Sequence, residues 1–327
     1  MAVMLRLHHL LPNYSSSPPH FTPSLRPTAA PPSPCRRRAP SALHAAAAPS
    51  SLPPLPSPAP LPTDAGVLFR RKLLYLERSL GVDPAAALAR NPDLRSAPIS
   101  SLRAVADVLA SMGLPPTPAA AGRVLSMHPQ LLTCDPTADL LPVFHFLIGP
   151  AGIPAMDVPS AVLRCPRLLV SSVEGQLLPA LYFLRRLGFV GPHRITCRTT
   201  LLLVSSVEGT LIPKLEYIQN LGFSRKDAVK MVLRSPGLFT FSIEKNFRPK
   251  VAFLVEEMGR DLLELKGFPQ YFSFSLEGRI KPRHRLLVEH GFECMRLGDM
   301  LKVSDGEFND RLVEMRLRSL EGSRRML

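Results

Sequence analysis

From residue 91 onward, the chain repeats one pattern of apolar and polar positions roughly every 35 residues. The segment that begins at Cys165, CPRLLVSSVEGQLLPALYFLRRLGF, is nearly copied by the segment that begins at Thr199, TTLLLVSSVEGTLIPKLEYIQNLGF. Looser copies begin at His128, Ser235 and Phe268, and a degenerate copy begins at Asn91. Self-similarity at a fixed period is the sequence signature of a repeat architecture, so we treat this region as one array.

Two prolines thirteen residues apart mark most of the units. The pairs are Pro129/Pro142, Pro166/Pro179, Pro236/Pro249 and Pro269/Pro282. In one unit Thr200 replaces the first proline, and Pro213 keeps the second. We number the units as repeats 1 to 6 by their first marker position, which is residue 92, 129, 166, 200, 236 or 269. The first helix of each repeat is taken to precede its marker.

Each unit predicts a helix, a turn, a short helix and a second long helix. Apolar residues at helical spacing precede the first proline, as in residues 228–233 behind Ser224, a possible N-cap. That proline ends the helix, because it pushes the residue before it out of the α region. A Ser-apolar-Glu triplet then predicts a capped short helix, the second proline predicts the first position of another helix, and a glycine predicts its end. The triplets carry Ser172/Glu174, Ser206/Glu208, Ser242/Glu244 and Ser275/Glu277, and the glycines are Gly188, Gly222, Gly259 and Gly291.

The fold class follows from the fact that no single unit can bury its apolar face alone. Neighbouring units must stack, so the sequence predicts an all-α protein, an α-solenoid of helical repeats with two longer helices and a short one per unit, arranged as a superhelical arc. Hydrophobic residues make up 46% of the chain, enough for a sizeable core. No run of 18 apolar residues occurs, so we expect no membrane insertion.

The combination of Pro-x-Leu-Leu, Ser-apolar-Glu, a second proline and Leu-Gly-Phe resembles the mitochondrial transcription termination factor (mTERF) family, in its plant organellar branch. The resemblance covers about residues 66–320. It implies a left-handed helical solenoid with a positively charged concave path. It also implies binding of double-stranded DNA, or of organellar RNA as in some plant members, with roles in transcription termination, gene expression or intron splicing.

The N-terminal 63 residues contain five arginines and no acidic residue. A segment without acid and rich in Ser, Ala and Arg is typical of an organellar transit peptide, and its Ser/Pro richness favours a chloroplast over a mitochondrion. The alternative is a basic arm or a disordered tail that stays attached. We predict a transit peptide over residues 1–48, a Pro-rich linker over 49–65, the nucleic-acid-binding solenoid over 66–298, and a C-terminal capping helix and tail over 299–327.

Net charge is +14 for the whole chain, and it remains +9 without the five leader arginines. Because equivalent positions of stacked units line up, we compared charges by repeat position. One ladder lies two residues before the first marker and another directly after the second proline. The candidate nucleic-acid-binding residues are Arg164, Arg185, Arg186, Arg198, Lys214, Arg234, Arg248, Lys250, Lys281 and Arg283.

The two ladders carry different alternatives. Arginines near a helix C-terminus also favour the helix dipole, so Arg90, Arg164, Arg198 and Arg234 have a structural alternative as caps. Lys214, Lys250 and Arg283 are predicted near a helix N-terminus, where the dipole disfavours cations, so contact with phosphate is the favoured interpretation. The aromatic residues around Phe239 and Tyr271 are expected to pack in the core.

The sequence gives no positive sign of catalysis or of a bound cofactor. It contains no G-x-x-x-x-G-K-[ST], G-x-S-x-G or H-E-x-x-H motif, and none of its five cysteines forms a C-x-x-C pair. We therefore expect a non-enzymatic monomer without metal or cofactor, with double-stranded DNA as the leading partner. RNA is the alternative partner, together with organellar transcription or splicing proteins. A second alternative is a protein–protein scaffold whose charge only aids solubility.

Overall fold

A computed structural model of the protein describes residues 65–292 and 295–324, with side chains as far as residue 318. The chain divides into two compact units, Met1–Leu68 and Phe69–Leu327, and the repeats lie in the second. All regular structure within the described residues is helical, which confirms the predicted all-α fold. The predicted transit peptide, and the linker as far as residue 64, lie outside the described residues.

A repeat consists of a first α-helix, which repeat 4 lacks, a 3₁₀ turn at its marker and a second helix. In repeats 2 to 6 the second helix opens with a π-type turn. The first helices have α-helical parts Pro84–Arg90, Arg123–Met127, Val158–Arg164, Arg225–Arg234 and Glu264–Gly267. The 3₁₀ turns are Pro92–Arg95, Pro129–Thr133, Pro166–Val170, Thr200–Leu202, Pro236–Thr240 and Pro269–Ser273. The π turns are Pro136–Leu140, Val173–Leu177, Val207–Leu211, Ile243–Phe247 and Leu276–Ile280. The α-helical parts of the second helices are Ile99–Ser111, Leu141–Ile148, Leu178–Leu187, Ile212–Asn220, Arg248–Ala252 and Lys281–Glu289.

Further helices flank the six repeats. Helix Ala65–Leu74 continues into the π turn Tyr75–Leu80 before repeat 1. After repeat 6 come the short helix Leu297–Leu301 and the longer helix Asp305–Arg324, which lies in the predicted C-terminal segment. The domain boundaries drawn from the sequence stay predictions.

In repeats 3 to 6 the second helix begins at the Ser-apolar-Glu triplet. In repeat 3 the hydroxyl of Ser172 accepts a hydrogen bond from the Gly175 N–H at 3.0 Å, and Ser206, Ser242 and Ser275 act in the same way. The predicted serine caps are therefore confirmed. The separate short helix is not: Val173–Leu177 runs directly into Leu178–Leu187, so Pro179 lies inside one continuous helix.

The π turn accommodates this internal proline. A proline inside a helix lacks an N–H, and its ring clashes with the carbonyl four residues earlier. In repeat 3 the Leu177 N–H bonds to the Ser172 carbonyl five residues back, at 3.0 Å, so the helix is widened just where Pro179 would otherwise crowd it. Pro179 is thus the second residue of the α-helical part Leu178–Leu187, as predicted for a helix start, but the whole second helix begins earlier, at Val173.

Glycines end the second helices as predicted. Gly188, Gly222, Gly259 and Gly291 all have positive φ, at 104°, 98°, 60° and 69°. Gly188 is the left-handed C-cap of Leu178–Leu187, and its N–H bonds to the Arg185 carbonyl at 3.0 Å. A side chain at this position would be strained by the backbone conformation.

The core between repeats is built on the 3₁₀ turns. Two consecutive apolar residues, two and three positions after each marker in repeats 2 to 6, are at most 3% exposed. They are Leu131/Leu132, Leu168/Leu169, Leu202/Leu203, Leu238/Phe239 and Tyr271/Phe272. Burying one such side chain contributes about 1.5–3 kcal/mol. The expectation that Phe239 and Tyr271 pack in the core is confirmed.

Repeat 4 departs from the others in its first half. Residues 190–199 contain a single 3₁₀ turn, Gly191–His193, and no α-helix. The Gly191-Pro192 pair interrupts helix formation, and the Thr199 hydroxyl accepts a hydrogen bond from the Thr196 N–H at 2.9 Å, which stabilises a local turn instead. The prediction of a first helix in every unit was wrong here.

Candidate nucleic-acid interface

The position directly after the second proline points into the interface with the next repeat. It carries Val143, Ala180, Lys214, Lys250 and Arg283. Lys250 is 5% exposed and Arg283 is 3% exposed, while Lys214 is half-buried. A side chain buried to this degree cannot contact a phosphate backbone on the surface.

The cations of this ladder bind carbonyl oxygens of the following element. The Lys250 ammonium donates to the Phe272 carbonyl at 2.7 Å, and the Lys214 ammonium donates to the Phe239 carbonyl. Both oxygens belong to the third residue after a marker, so the two contacts are equivalent. Burial lowers the pKa of both lysines.

Arg283 completes the ladder at the end of the array. Its guanidinium donates to the Val303 carbonyl at 3.0 Å, to the Met300 carbonyl, and to the Asp305 carboxylate. The prediction that Lys214, Lys250 and Arg283 contact nucleic acid is corrected on this basis. Their charge is used to bind backbone oxygens that would otherwise be buried without a donor.

Sequence reasoning missed one member of this set. Lys72, in the helix before repeat 1, is 6% exposed, and its ammonium donates to the carbonyls of Leu94 at 2.7 Å and Arg95 at 3.0 Å. These are again the residues two and three after a marker. Lys72 lies before the first recognised unit, so no repeat alignment pointed to it.

Two arginines of the other ladder cap a helix of the next repeat. Arg90 donates to the Ser126 carbonyl at 2.9 Å and to the Met127 carbonyl, and Arg234 donates to the Gly267 carbonyl at 2.8 Å. These carbonyls end the first helices of repeats 2 and 6. The alternative interpretation, that these arginines cap helices, therefore holds for Arg90 and Arg234. The helix that each one caps belongs to the next repeat and not to its own.

Arg164 and Arg198 occupy the same repeat position and behave differently. Both are exposed, and no hydrogen bond or ion pair joins either one to a residue that the structure describes. Arg164 precedes repeat 4, which offers no first helix to cap. Arg198 itself lies in the irregular segment 190–199. The missing helix thus leaves two arginines of the ladder available to a ligand.

Of the other predicted residues, three have a hydrogen-bond or ion-pair partner and one has none among the described residues. Arg185 donates to the Pro150 carbonyl, Arg248 pairs with Glu244 at 3.1 Å, and Lys281 pairs with Glu277. Arg186 is exposed and has no polar partner among the described residues. Arg194, which was not among the predicted site residues, is also exposed and lacks such a partner. No acidic residue lies between Glu174 and Glu208 to offset these charges.

Comparison with known proteins places the repeats in a family. The mTERF family profile matches residues 94–309, which is most of the region containing repeats 1 to 6. The chain belongs to the mTERF family. The resemblance noted from the sequence motifs is thereby confirmed. The family as a whole comprises nucleic-acid-binding regulators of organellar transcription, and it is not known for enzymes.

Individual mTERF relatives match over a shorter stretch. The chloroplastic transcription termination factor MTERF4 of rice (Oryza sativa subsp. japonica) is 32% identical over 83 residues, which is 25% of this chain and 16% of that protein. MTERF4 of maize (Zea mays) is 34% identical over 83 residues, also 25% of this chain and 16% of that protein. The chloroplastic MTERF2 of Arabidopsis thaliana is 34% identical over 83 residues, 25% of this chain and 13% of that protein. The matches thus span about a sixth or less of the relatives' length.

The described residues of this mTERF chain contain neither a metal-ligand cluster nor a helix suited to a membrane. Among the described residues, no cluster of His, Cys, Asp and Glu has an arrangement that would hold a metal ion. None of the helices in residues 65–292 and 295–324 combines the length and the apolar character that a membrane span needs.

Proposed function

We propose that this protein binds double-stranded DNA in the chloroplast and regulates transcription there. The observation that carries the proposal is the group of four exposed arginines in repeats 3 and 4 that no described residue engages. We call this group the free arginine set, and its members are Arg164, Arg186, Arg194 and Arg198.

The chemistry of the free arginine set suits a phosphate backbone. A guanidinium is always charged and donates in a fixed fork that matches phosphate oxygens. Each phosphate that a protein cation neutralises releases condensed counterions, which is a large favourable term at low salt. Since no acidic residue lies between Glu174 and Glu208, a polyanion meets no local repulsion from this stretch of sequence.

The chloroplast is supported by two separate observations. The relatives named above are chloroplastic transcription termination factors. The acid-free, arginine-containing first 63 residues have the composition of an organellar transit peptide. Bound along a duplex, the repeats would act as a roadblock to polymerase or as a recruiting factor.

Salt dependence of binding tests the proposal against a scaffold role. Full-length protein is titrated against a fluorescent DNA duplex at several salt concentrations between about 50 and 200 mM. A DNA-binding protein loses affinity steeply over this range, because the release of counterions is less favourable when the surrounding salt is more concentrated. A protein that ignores duplex DNA at the lowest salt would contradict the proposal. Competition with unlabelled single-stranded RNA separates the two nucleic acids: stronger competition by RNA than by duplex would favour a role on transcripts.

A further inference from the structure

A cleft lies where the irregular half of repeat 4 meets the first helices of repeats 5 and 6. Its volume is about 870 Å³, within the usual range for ligand sites, and its lining includes His193, Lys230, Leu233, Arg234, Leu263 and Lys266. His193 ends the 3₁₀ turn Gly191–His193. Lys230 and Arg234 lie on the helix Arg225–Arg234, and Lys266 lies on the helix Glu264–Gly267.

The cleft borders the part of repeat 4 that has no first helix. In repeats 3 and 5 an α-helix occupies this part of the unit, whereas repeat 4 has only the short turn that ends at His193. The leucine side chains make part of the lining apolar, and Leu263 is 61% exposed. The cleft is therefore accessible to a ligand, and part of its lining is apolar.

All the charged side chains that line the cleft are cationic. Lys230 is exposed and has no hydrogen bond or ion pair with a described residue. Arg234 uses one nitrogen to bind the Gly267 carbonyl at 2.8 Å, which fixes its guanidinium and leaves its other N–H groups for a ligand. Lys266 pairs with Asp227 at 3.0 Å, and this carboxylate is outside the lining.

We propose that this cleft is a phosphate-binding site and, if the proposed function holds, that it takes phosphates of the bound nucleic acid. Arg234 is held in place before a ligand arrives, so less conformational entropy is lost when it binds. Lys230 supplies a point charge, and His193, which also lines the cleft, supplies ring nitrogens. Donors from repeats 4 and 5 thus line one concave surface, and this arrangement suits the several oxygens of phosphate groups better than a single carboxylate.

Titration with sodium tripolyphosphate, followed by calorimetry, tests the cleft directly. The full-length protein, the variant Lys230→Glu and the matched control Lys245→Glu are compared. Lys245 is exposed and lies in the π turn Ile243–Phe247, outside the cleft, so its replacement causes the same change of charge. We expect Lys230→Glu to weaken tripolyphosphate binding at least tenfold and the control to weaken it less than threefold. Lys230→Met, which removes the charge without reversing it, should give an intermediate loss.

Competition between tripolyphosphate and duplex DNA identifies the source of the phosphate. Displacement of DNA that is lost in Lys230→Glu supports nucleic-acid phosphates, while binding without displacement supports a free phosphate compound in the same cleft. Equal tripolyphosphate affinity for Lys230→Glu and the control would overturn the proposal, and so would preferential binding of an acidic peptide. If wild-type protein bound no DNA but bound tripolyphosphate in the cleft, the proposed function would fail and this inference would stand.

Discussion

The ammonium of Lys250 lies 2.7 Å from the carbonyl oxygen of Phe272, in the next repeat. The contact is reciprocated, because the Tyr271 hydroxyl donates to the Lys250 carbonyl at 3.0 Å. Lys250 is 5% exposed, so its charge is screened little by solvent. A cation in the interior of the array thus joins two repeats through backbone oxygens, and the same arrangement recurs at Lys72 and Lys214.

Replacing Lys250 should destabilise the protein but leave the free arginine set unchanged. We expect Lys250→Ala to lower the free energy of unfolding by about 2–4 kcal/mol, because it leaves a cavity and a buried carbonyl without its donor. Urea denaturation followed by circular dichroism measures this loss. The exposed Lys245→Ala should stay within about 0.5 kcal/mol of wild type. Equal stabilities for the two variants would contradict the structural role of Lys250.

Two arginines at equivalent repeat positions should differ in what they contribute to stability. Arg234→Gln removes a cap on the Gly267 carbonyl and should cost about 1–2 kcal/mol of unfolding free energy. Arg164→Gln removes no described contact and should change stability by less than about 0.5 kcal/mol while it weakens DNA binding. Thermal unfolding and DNA titration of the two variants check both effects. A stability loss at Arg164 as large as that at Arg234 would show that the two positions are equivalent after all.

The serine caps should each contribute to the stability of the second helices. Ser275 accepts a hydrogen bond from the Gly278 N–H at 3.0 Å, so Ser275→Ala should cost about 1 kcal/mol. Ser273 is exposed in the neighbouring 3₁₀ turn and has no hydrogen bond with a described residue, so Ser273→Ala is the matched control. The urea midpoint should fall for the first variant and remain near wild type for the second. Similar midpoints would mean that the cap is dispensable.

The Asp227 carboxylate should make stability depend on pH at the acidic end. The hydrogen bond from Lys266, followed by the one from Ser224, holds the pKa of Asp227 below its usual value. A carboxyl whose pKa is lowered by folding stabilises the protein above its unfolded pKa, about 3.9, and this contribution is lost as pH falls through the lower folded value. Wild type should therefore exceed Asp227→Asn in urea midpoint at pH 7, and the difference should shrink as pH falls below about 4. A difference that does not change with pH would contradict this assignment.

The sequence was sufficient to predict the repeat, its caps and its terminating glycines, because each depends on local backbone chemistry. It misled on Lys250, because the second helix begins at Ile243, six residues before Pro249. A helix start at Pro249 would leave the following lysine near an exposed end, whereas a start at Ile243 turns it toward the next repeat. Val143 and Ala180, buried and apolar at the same repeat position, were the available signal that this strip lies inside.

The irregular half of repeat 4 was only partly predictable. Gly191 and Pro192 are the residues that interrupt helices, so the absence of a helix could have been inferred from them. The effect of this missing helix on Arg164 could not be inferred, because Arg164 belongs to repeat 3 and the missing helix to repeat 4. Which arginines stay unengaged depends on contacts between units, and the sequence of one unit does not contain that information.

The most direct test of the account compares two charge-matched variants in DNA binding. One replaces the free arginine set, Arg164, Arg186, Arg194 and Arg198, with glutamine. The other replaces Arg71, Arg78, Lys245 and Arg316, four exposed cations that no described residue engages, and so removes the same charge. Affinity for a DNA duplex is measured for both full-length variants across a salt series. A plot of log K against log salt has a negative slope. We predict that the first variant makes this slope shallower by about 3 relative to wild type, and the second by less than about 1. Equal slopes for the two variants would contradict the assignment of the nucleic-acid interface to repeats 3 and 4.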